Sequence, residues 1–112
     1  SSMSSAKANT RESKAMARLK TALTTGNLWL HILSMLKKKK RIYAYALGED
    51  MHKHAGFSHA FLMNYLILYK LEGEGLIRSE FEGRRKYYSI TGRGRRELNA
   101  AKKYLQRLSA KL

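Results

Sequence analysis

The chain has 112 residues, enough for one domain with a modest core, and 44% of them are apolar, so most of it is expected to fold. Lys and Arg number 23 against 8 Asp and Glu, a net charge of +15 that points to a polyanionic partner such as nucleic acid, an acidic membrane face or an acidic protein. With no cysteine, disulfides, cysteine-ligated zinc and thiol catalysis are excluded, and the composition fits an intracellular protein.

In chain order, residues 1–10 are small and polar and are expected to form a disordered tail, with residues 11–112 as a single domain. The polar start gives no expectation of a secretory leader, and no apolar run approaches the roughly 20 residues of a membrane span. From Arg11 the pattern turns helical, with Met16, Leu19 and Leu23 on one face, until Thr24-Thr25-Gly26-Asn27 breaks it. A second helix, Leu28 to Leu36, is apolar nearly all round and should be the central buried element. Lys37-Lys38-Lys39-Lys40-Arg41 ends it, where cations oppose the negative end of the helix dipole. The run grips backbone phosphates, forms a nuclear-localisation-like patch, or is a solvated helix end.

A third helix is predicted from about Ala44 to His54, with Tyr45, Leu47 and Met51 facing inward. Ala55-Gly56 closes it, and Ser58 can cap a fourth helix that runs to about Glu72. On the helical period, Phe61, Tyr65, Leu68 and Leu71 or Glu72 face the core. Ser58, His59, Leu62, Met63, Leu66, Ile67 and Lys70 form the outer surface. Gly73 and Gly75 bracket the helix end. Strands follow at Leu76–Phe81 and Lys86–Ile90, with a turn near Glu82–Arg85 in which Gly83 supplies the positive φ of a tight hairpin.

Arg84, Arg85 and Lys86 form the tip of that hairpin. A narrow tip cannot bury three cations, so it projects, and such a projection suits a minor groove or phosphates. Tyr87 and Ile90 or Tyr88 are expected to anchor the ribbon to the core. The last helix begins at Thr91 or Gly92, and along it Leu98, Ala101, Leu105, Leu108 and Leu112 step by 3, 4, 3 and 4 residues, a heptad seam.

Three helices followed by a fourth, a two-stranded ribbon and a final helix give a mainly α chain with a two-stranded β-wing. This is a winged helix-turn-helix plan, with flanking N- and C-terminal dimerisation helices at residues 11–25 and 94–112. The recognition helix spans residues 58–72 and the wing residues 76–90. Two apolar stripes at opposite ends, Met16, Leu19 and Leu23 with Leu98, Ala101, Leu105, Leu108 and Leu112, exceed what a 112-residue monomer needs and predict a homodimer.

The stretch from Leu71 to Leu98 resembles the PadR family of winged-helix transcription regulators. The matching features are Glu74-Gly75-Leu76-Ile77, Arg84-Arg85-Lys86-Tyr87-Tyr88 and Ile90-Thr91-Gly92-Arg93-Gly94. Upstream, Arg41 to Met51 is similar to the family's Gly-Tyr-x-Ile segment, with Ala44 in place of the usual glycine. MarR-type and small archaeal winged-helix regulators share the plan.

The resemblance implies a homodimeric DNA-binding transcriptional regulator, a repressor in most cases, whose two recognition helices enter successive major grooves of double-stranded DNA about 34 Å apart. It would work in the cytoplasm on the nucleoid. The resemblance makes Tyr65 a match for a family tyrosine in the recognition helix, whereas Met63 and Asn64 replace its threonine and leucine. The expected DNA contacts are Ser58, His59, Met63, Asn64, Tyr65, Lys70, Arg84, Arg85, Lys86, Lys39, Lys40 and Arg41.

A base-reading helix usually carries more polar side chains than Phe61 to Leu71 does, so sequence preference is expected to be modest, with phosphate contacts carrying the affinity. An architectural DNA-binding protein and an apolar protein-docking module are the other readings.

No catalytic constellation is present, and no cofactor or metal is indicated; a small-molecule effector is not identified by the sequence, although the resemblance implies that Trp29 could line an inter-subunit pocket for a planar ligand. His52 and His54, spaced i, i+2, point to different sides of a helix. With Glu49 and Asp50 they read as surface residues. His31 reads as a satisfied core or interface histidine, and Trp29 as a packing residue of the core or interface.

Overall fold

A computed structural model describes residues 11–47 and 61–112, with the side chains of 61–64 outside the description. The expectations for the 1–10 tail, for Met51, His52, His54, Ala55, Gly56, Ser58 and His59, and for the side chains of Phe61, Leu62, Met63 and Asn64 lie outside the described residues.

Helix α1 spans Lys14–Leu23, three residues later than the periodicity suggests, because Ser13 is extended and its hydroxyl accepts the Met16 amide at 3.0 Å as an N-cap. No residue of α1 is buried. A 3₁₀ turn at Thr25–Asn27 leads into α2, Leu28–Lys38. Leu28, Ile32, Leu33, Met35 and Leu36 of α2 are buried, so α2 supplies the largest share of the core. Burying each such side chain contributes roughly 1.5–3 kcal/mol. Lys37 and Lys38 occupy its last turn, and Lys39 turns the chain into extended backbone.

Strand β1, Ile42–Tyr43, follows, so the small sheet has three strands rather than the two of the hairpin alone. Two residues carry too short a pattern to announce a strand. β1 exists because Ile42 and Tyr43 pair antiparallel with Tyr88 and Tyr87. Residues 44–47 are helical, with Leu47 buried; Tyr45, expected to face inward, is instead exposed, its ring 6.4 Å from that of Tyr43.

Helix α3 spans Phe61–Gly73. It ends in a Schellman motif: the Leu76 amide donates to the Leu71 carbonyl and the Gly75 amide to that of Glu72, each at 3.0 Å. Gly75 takes φ +76° there, the left-handed value that favours glycine. Gly73 lies within the helix and does not share that role. Leu71 and Leu76, the apolar pair of this motif, are both buried.

Strands β2, Ile77–Glu82, and β3, Arg85–Ile90, form the hairpin, and β3 is central in the order β1-β3-β2. Glu82 faces Arg85 in register, which leaves the two-residue turn Gly83-Arg84. Gly83 has φ +63° at the first turn position, as primed hairpin turns require. One face of the sheet carries Ile77, Tyr88, Ile90 and Ile42 into the core. The other carries Tyr43, Tyr87 and Glu80.

Helix α4, Gly92–Lys111, is capped by Thr91, whose hydroxyl accepts the Gly94 amide at 3.0 Å and donates to the Gly75 carbonyl at 2.6 Å. That one side chain ties the start of α4 to the end of α3. α4 packs on α2 through Leu98, which closes the core. Among the described residues no polar or charged side chain is buried.

Candidate nucleic-acid interface

The wing tip follows directly from the hairpin geometry. Arg84 is the second turn residue and is exposed, and Arg85 opens β3 beside it. Alternation along β3 then sends Arg85 and Lys86 to opposite faces of the ribbon. The Arg85 guanidinium lies 5.1 Å from the centre of the Tyr43 ring, on the outer face. The Lys86 ammonium lies 5.3 Å from the Tyr88 ring and 5.9 Å from that of Phe81, on the core-side face. Phe81 itself is 70% exposed, a large aromatic at the outer end of the ribbon.

The basic run reaches the same sheet. Lys37 to Arg41 are all exposed as α2 gives way to β1. Arg41, one residue before β1, turns onto the wing: its guanidinium donates to Glu80 Oε1 at 3.4 Å and to Glu82, and lies 4.0 Å over the Tyr87 ring. The hydrogen bond to Glu82, opposed by desolvation and reinforced by the Glu82 charge, holds the Arg41 guanidinium above its ordinary range. Arg41 is therefore engaged by the protein's own carboxylates.

On α3, Leu68 and Leu71 face the core, and Tyr65 does not: it is 47% exposed. Ile67, expected on the outer surface, is half-buried against the core. Both displacements have one cause. α3 is apolar on nearly all faces, so periodicity alone does not orient it, and contact with α2 and β2 does. The outer face then carries Tyr65, Leu66, Tyr69 and Lys70. Lys70 also lines a cleft of about 510 Å³ beside Trp29, together with Glu74 and Glu97. Trp29 is half-buried and donates its indole N–H to Asn27 Oδ1 at 3.3 Å.

The first turn of α4 carries Arg93, Arg95 and Arg96, all exposed, and no acidic residue. Cations at the positive end of a helix dipole are locally unfavourable, and a bound anion relieves that strain.

The terminal helices leave apolar surface uncovered. Met16, Leu19 and Leu23 of α1 are exposed, as are Leu108 of α4 and Leu112, the residue that caps it, the last at 98%. Leu98 is buried within the chain, and Ala101 and Leu105 are half-buried. A groove of about 540 Å³ runs between α2 and α4, floored by Leu23, Leu30, Leu98 and Leu105. His31 sits on its wall, its Nε2 2.8 Å from the Leu23 carbonyl oxygen, which ties α2 to the end of α1.

The fold thus brings Arg41 and Arg85 onto one sheet face with Tyr43 and Tyr87. Lys86 lies on the opposite face and Lys70 at the far end of α3. Sequence reasoning missed Glu80, Glu82 and Tyr43 as parts of this surface. Glu82, expected in the turn, instead ends β2 two residues after Glu80, which puts both glutamates on one face. Their partner Arg41, 39 and 41 residues away, was beyond any local pattern.

Residues 32–100 match the transcriptional regulator PadR-like family. Among solved structures, the chain is similar to a PadR family transcriptional regulator from Eggerthella lenta, at 28% identity over 84% of this chain and 85% of that one, with a TM-score of 0.72. A PadR family regulator from Clostridium difficile is 26% identical over 75% of this chain and 92% of that one, with a TM-score of 0.68. A PadR-like regulator from Bacillus cereus is 26% identical over 80% and 90%, with a TM-score of 0.69. Comparison with the curated proteins finds no match.

Proposed function

The chain belongs to the PadR-like family of transcriptional regulators, and from that premise we propose that it is a homodimeric repressor that binds double-stranded DNA through α3 and the wing. Members of this family regulate transcription and are not enzymes. The observation that carries the reading is the exposed Gly83-Arg84 tip, with Arg85 beside it, on a chain of net charge +15. Lys39 and Lys40, the Ser58–Lys70 segment with His59, Met63, Asn64 and Tyr65, and the wing cations Arg84, Arg85 and Lys86 are the proposed contacts. Arg93, Arg95 and Arg96 join them as phosphate partners at the start of α4.

Dimerisation is supported by the uncovered stripe Met16, Leu19 and Leu23 and by the exposed end of α4. A second copy covers both if its terminal helices lie along the groove floored by Leu30, Leu98 and Leu105. The domain then divides as residues 11–25 and 94–112 for assembly, 58–72 for recognition and 76–90 for the wing. Such a protein acts in the cytoplasm, on the chromosome.

A second reading, an architectural protein of low sequence preference, is favoured by one observation. The described outer face of α3 offers Tyr65, Leu66 and Tyr69 and a single cation, Lys70. Aromatic and aliphatic groups touch thymine methyls but discriminate bases less than bidentate polar side chains do. Selection from a random duplex pool at two salt concentrations, followed by sequencing, separates the two. Enrichment of a palindrome is the expected result and gives the half-site spacing. Tight retention without enrichment establishes the architectural role, and no retention at low salt overturns both.

A further inference from the structure

Resting on the reading that this chain binds DNA, we propose that Glu80 and Glu82 hold Arg41 off the phosphate backbone and so restrain sequence-independent binding. Arg41 is the last cation of the Lys37–Arg41 run, and its four neighbours are solvent-exposed lysines. Position in the sequence therefore makes it a phosphate contact. The fold assigns it otherwise. Nη1 of its guanidinium meets Glu80 at 3.4 Å, Nη2 meets Glu82, and one face covers the Tyr87 ring at 4.0 Å. Two of its five N–H donors are taken and one face is covered, so the group is held along the wing and away from a phosphate.

The carboxylates are as unexpected as the arginine. The chain has only 8 acidic residues, and two of them stand at alternate positions of β2. They share the outer face with Tyr87, which lies directly across from Glu80. Both are largely exposed, beside a tip built from Arg84 and Arg85. An ordinary surface ion pair contributes little to stability, and neither Glu80 nor Glu82 fills a core position. Their effect is on the electrostatic field. Arg78 and Arg85 stand on the same face, Arg85 directly across from Glu82, so the two carboxylates offset part of a cationic surface and are engaged with Arg41 in doing so. Without Arg41 they would oppose phosphate more strongly; without the carboxylates Arg41 would add a phosphate contact. A strongly basic protein faces a vast excess of non-target DNA, and each phosphate contact raises affinity for all of it equally. An internal counter-charge on the wing limits that affinity and leaves base contacts on α3 untouched.

The test compares binding to a random-sequence duplex across a salt series for the wild-type chain, Glu80→Gln/Glu82→Gln, Arg41→Gln, and the triple variant. Thermal melts define a temperature at which all four are folded, and glutamine keeps the volume and an acceptor oxygen at each acidic site. For Glu80→Gln/Glu82→Gln, affinity at low salt should rise on the order of tenfold, and the slope of log affinity against log salt should steepen by about 1. Arg41→Gln alone should weaken binding with the wild-type slope, because it exposes two carboxylates and removes no phosphate contact. In the triple variant the slope should return to the wild-type value. The inference is overturned if the double variant matches wild type in affinity and slope. It is equally overturned if Arg41→Gln by itself lowers the slope by about 1, since Arg41 would then already sit on phosphate. Failure of the underlying reading looks different: the wild-type chain itself would not bind the duplex at low salt.

Discussion

Gly94 shows how far one residue can constrain this fold. It occupies the third position of α4, where its amide completes the Thr91 cap. A Cβ placed there would lie 2.0 Å from the Leu76 carbonyl oxygen and 2.8 Å from Ile90 Cγ1. The first of these is backbone, held by its own hydrogen bond from the Thr91 amide at 3.1 Å, and cannot swing aside. Gly94→Ala should therefore cost about 3 kcal/mol through overpacking. Gly92, two residues earlier, has only the mobile end of Arg96 within 3.4 Å. Gly92→Ala should be neutral or stabilising by up to about 1 kcal/mol, because alanine loses less entropy on entering a helix. Thermal melts of the two variants, side by side, check the contrast; equal midpoints would show that α4 can shift away from β2.

Among the elements, the wing carries the most consequence for binding. Its cations are distributed by the pleat: Arg85 against Tyr43 on one face, Lys86 near Tyr88 on the other, Arg84 in the turn. Only Arg84 and Arg85 are positioned to reach outward at the tip. Arg84→Ala with Arg85→Ala should weaken duplex binding by about tenfold or more at low salt, with dimer content unchanged. Because Arg85 also packs over Tyr43, Arg84→Ala alone provides the control, and it should retain part of the loss with an unaltered melt. Full wild-type affinity in the double variant would remove the wing from the interface.

For the molecule as a whole, the unresolved demand is apolar area. α1 buries nothing of its own, and α4, about 30 Å long for its 20 residues, packs on α2 mainly through its first half. Leu98 serves the chain's own core, so truncation before Leu98 would damage the fold as well as any dimer. Leu108 and Leu112 are free of that complication. Leu108→Glu with Leu112→Glu should give a monomer by sedimentation or light scattering at micromolar concentration, while the melt of the isolated chain changes little. A dimer that survives both substitutions would place the interface on α1 and the groove beside His31 instead.

Among the described residues, the amino-acid pattern alone determined the helices and hairpin in their order, the break at Thr24 to Asn27, the glycine that turns the wing at Gly83, and the cationic tip. These are local matters: helical period, capping hydroxyls and the freedom of glycine act within a few residues of one another. Tertiary structure decided which way α3 faces, since a helix apolar all round has no preferred side until α2 and β2 supply one. The same holds for β1, two residues that become a strand only against Tyr87 and Tyr88. It holds most clearly for Arg41. In the sequence it is the fifth cation of a run. In the fold, pairing across some 40 residues brings Glu80, Glu82 and Tyr87 around it, because strand pairing, unlike helix periodicity, joins residues that share no local pattern.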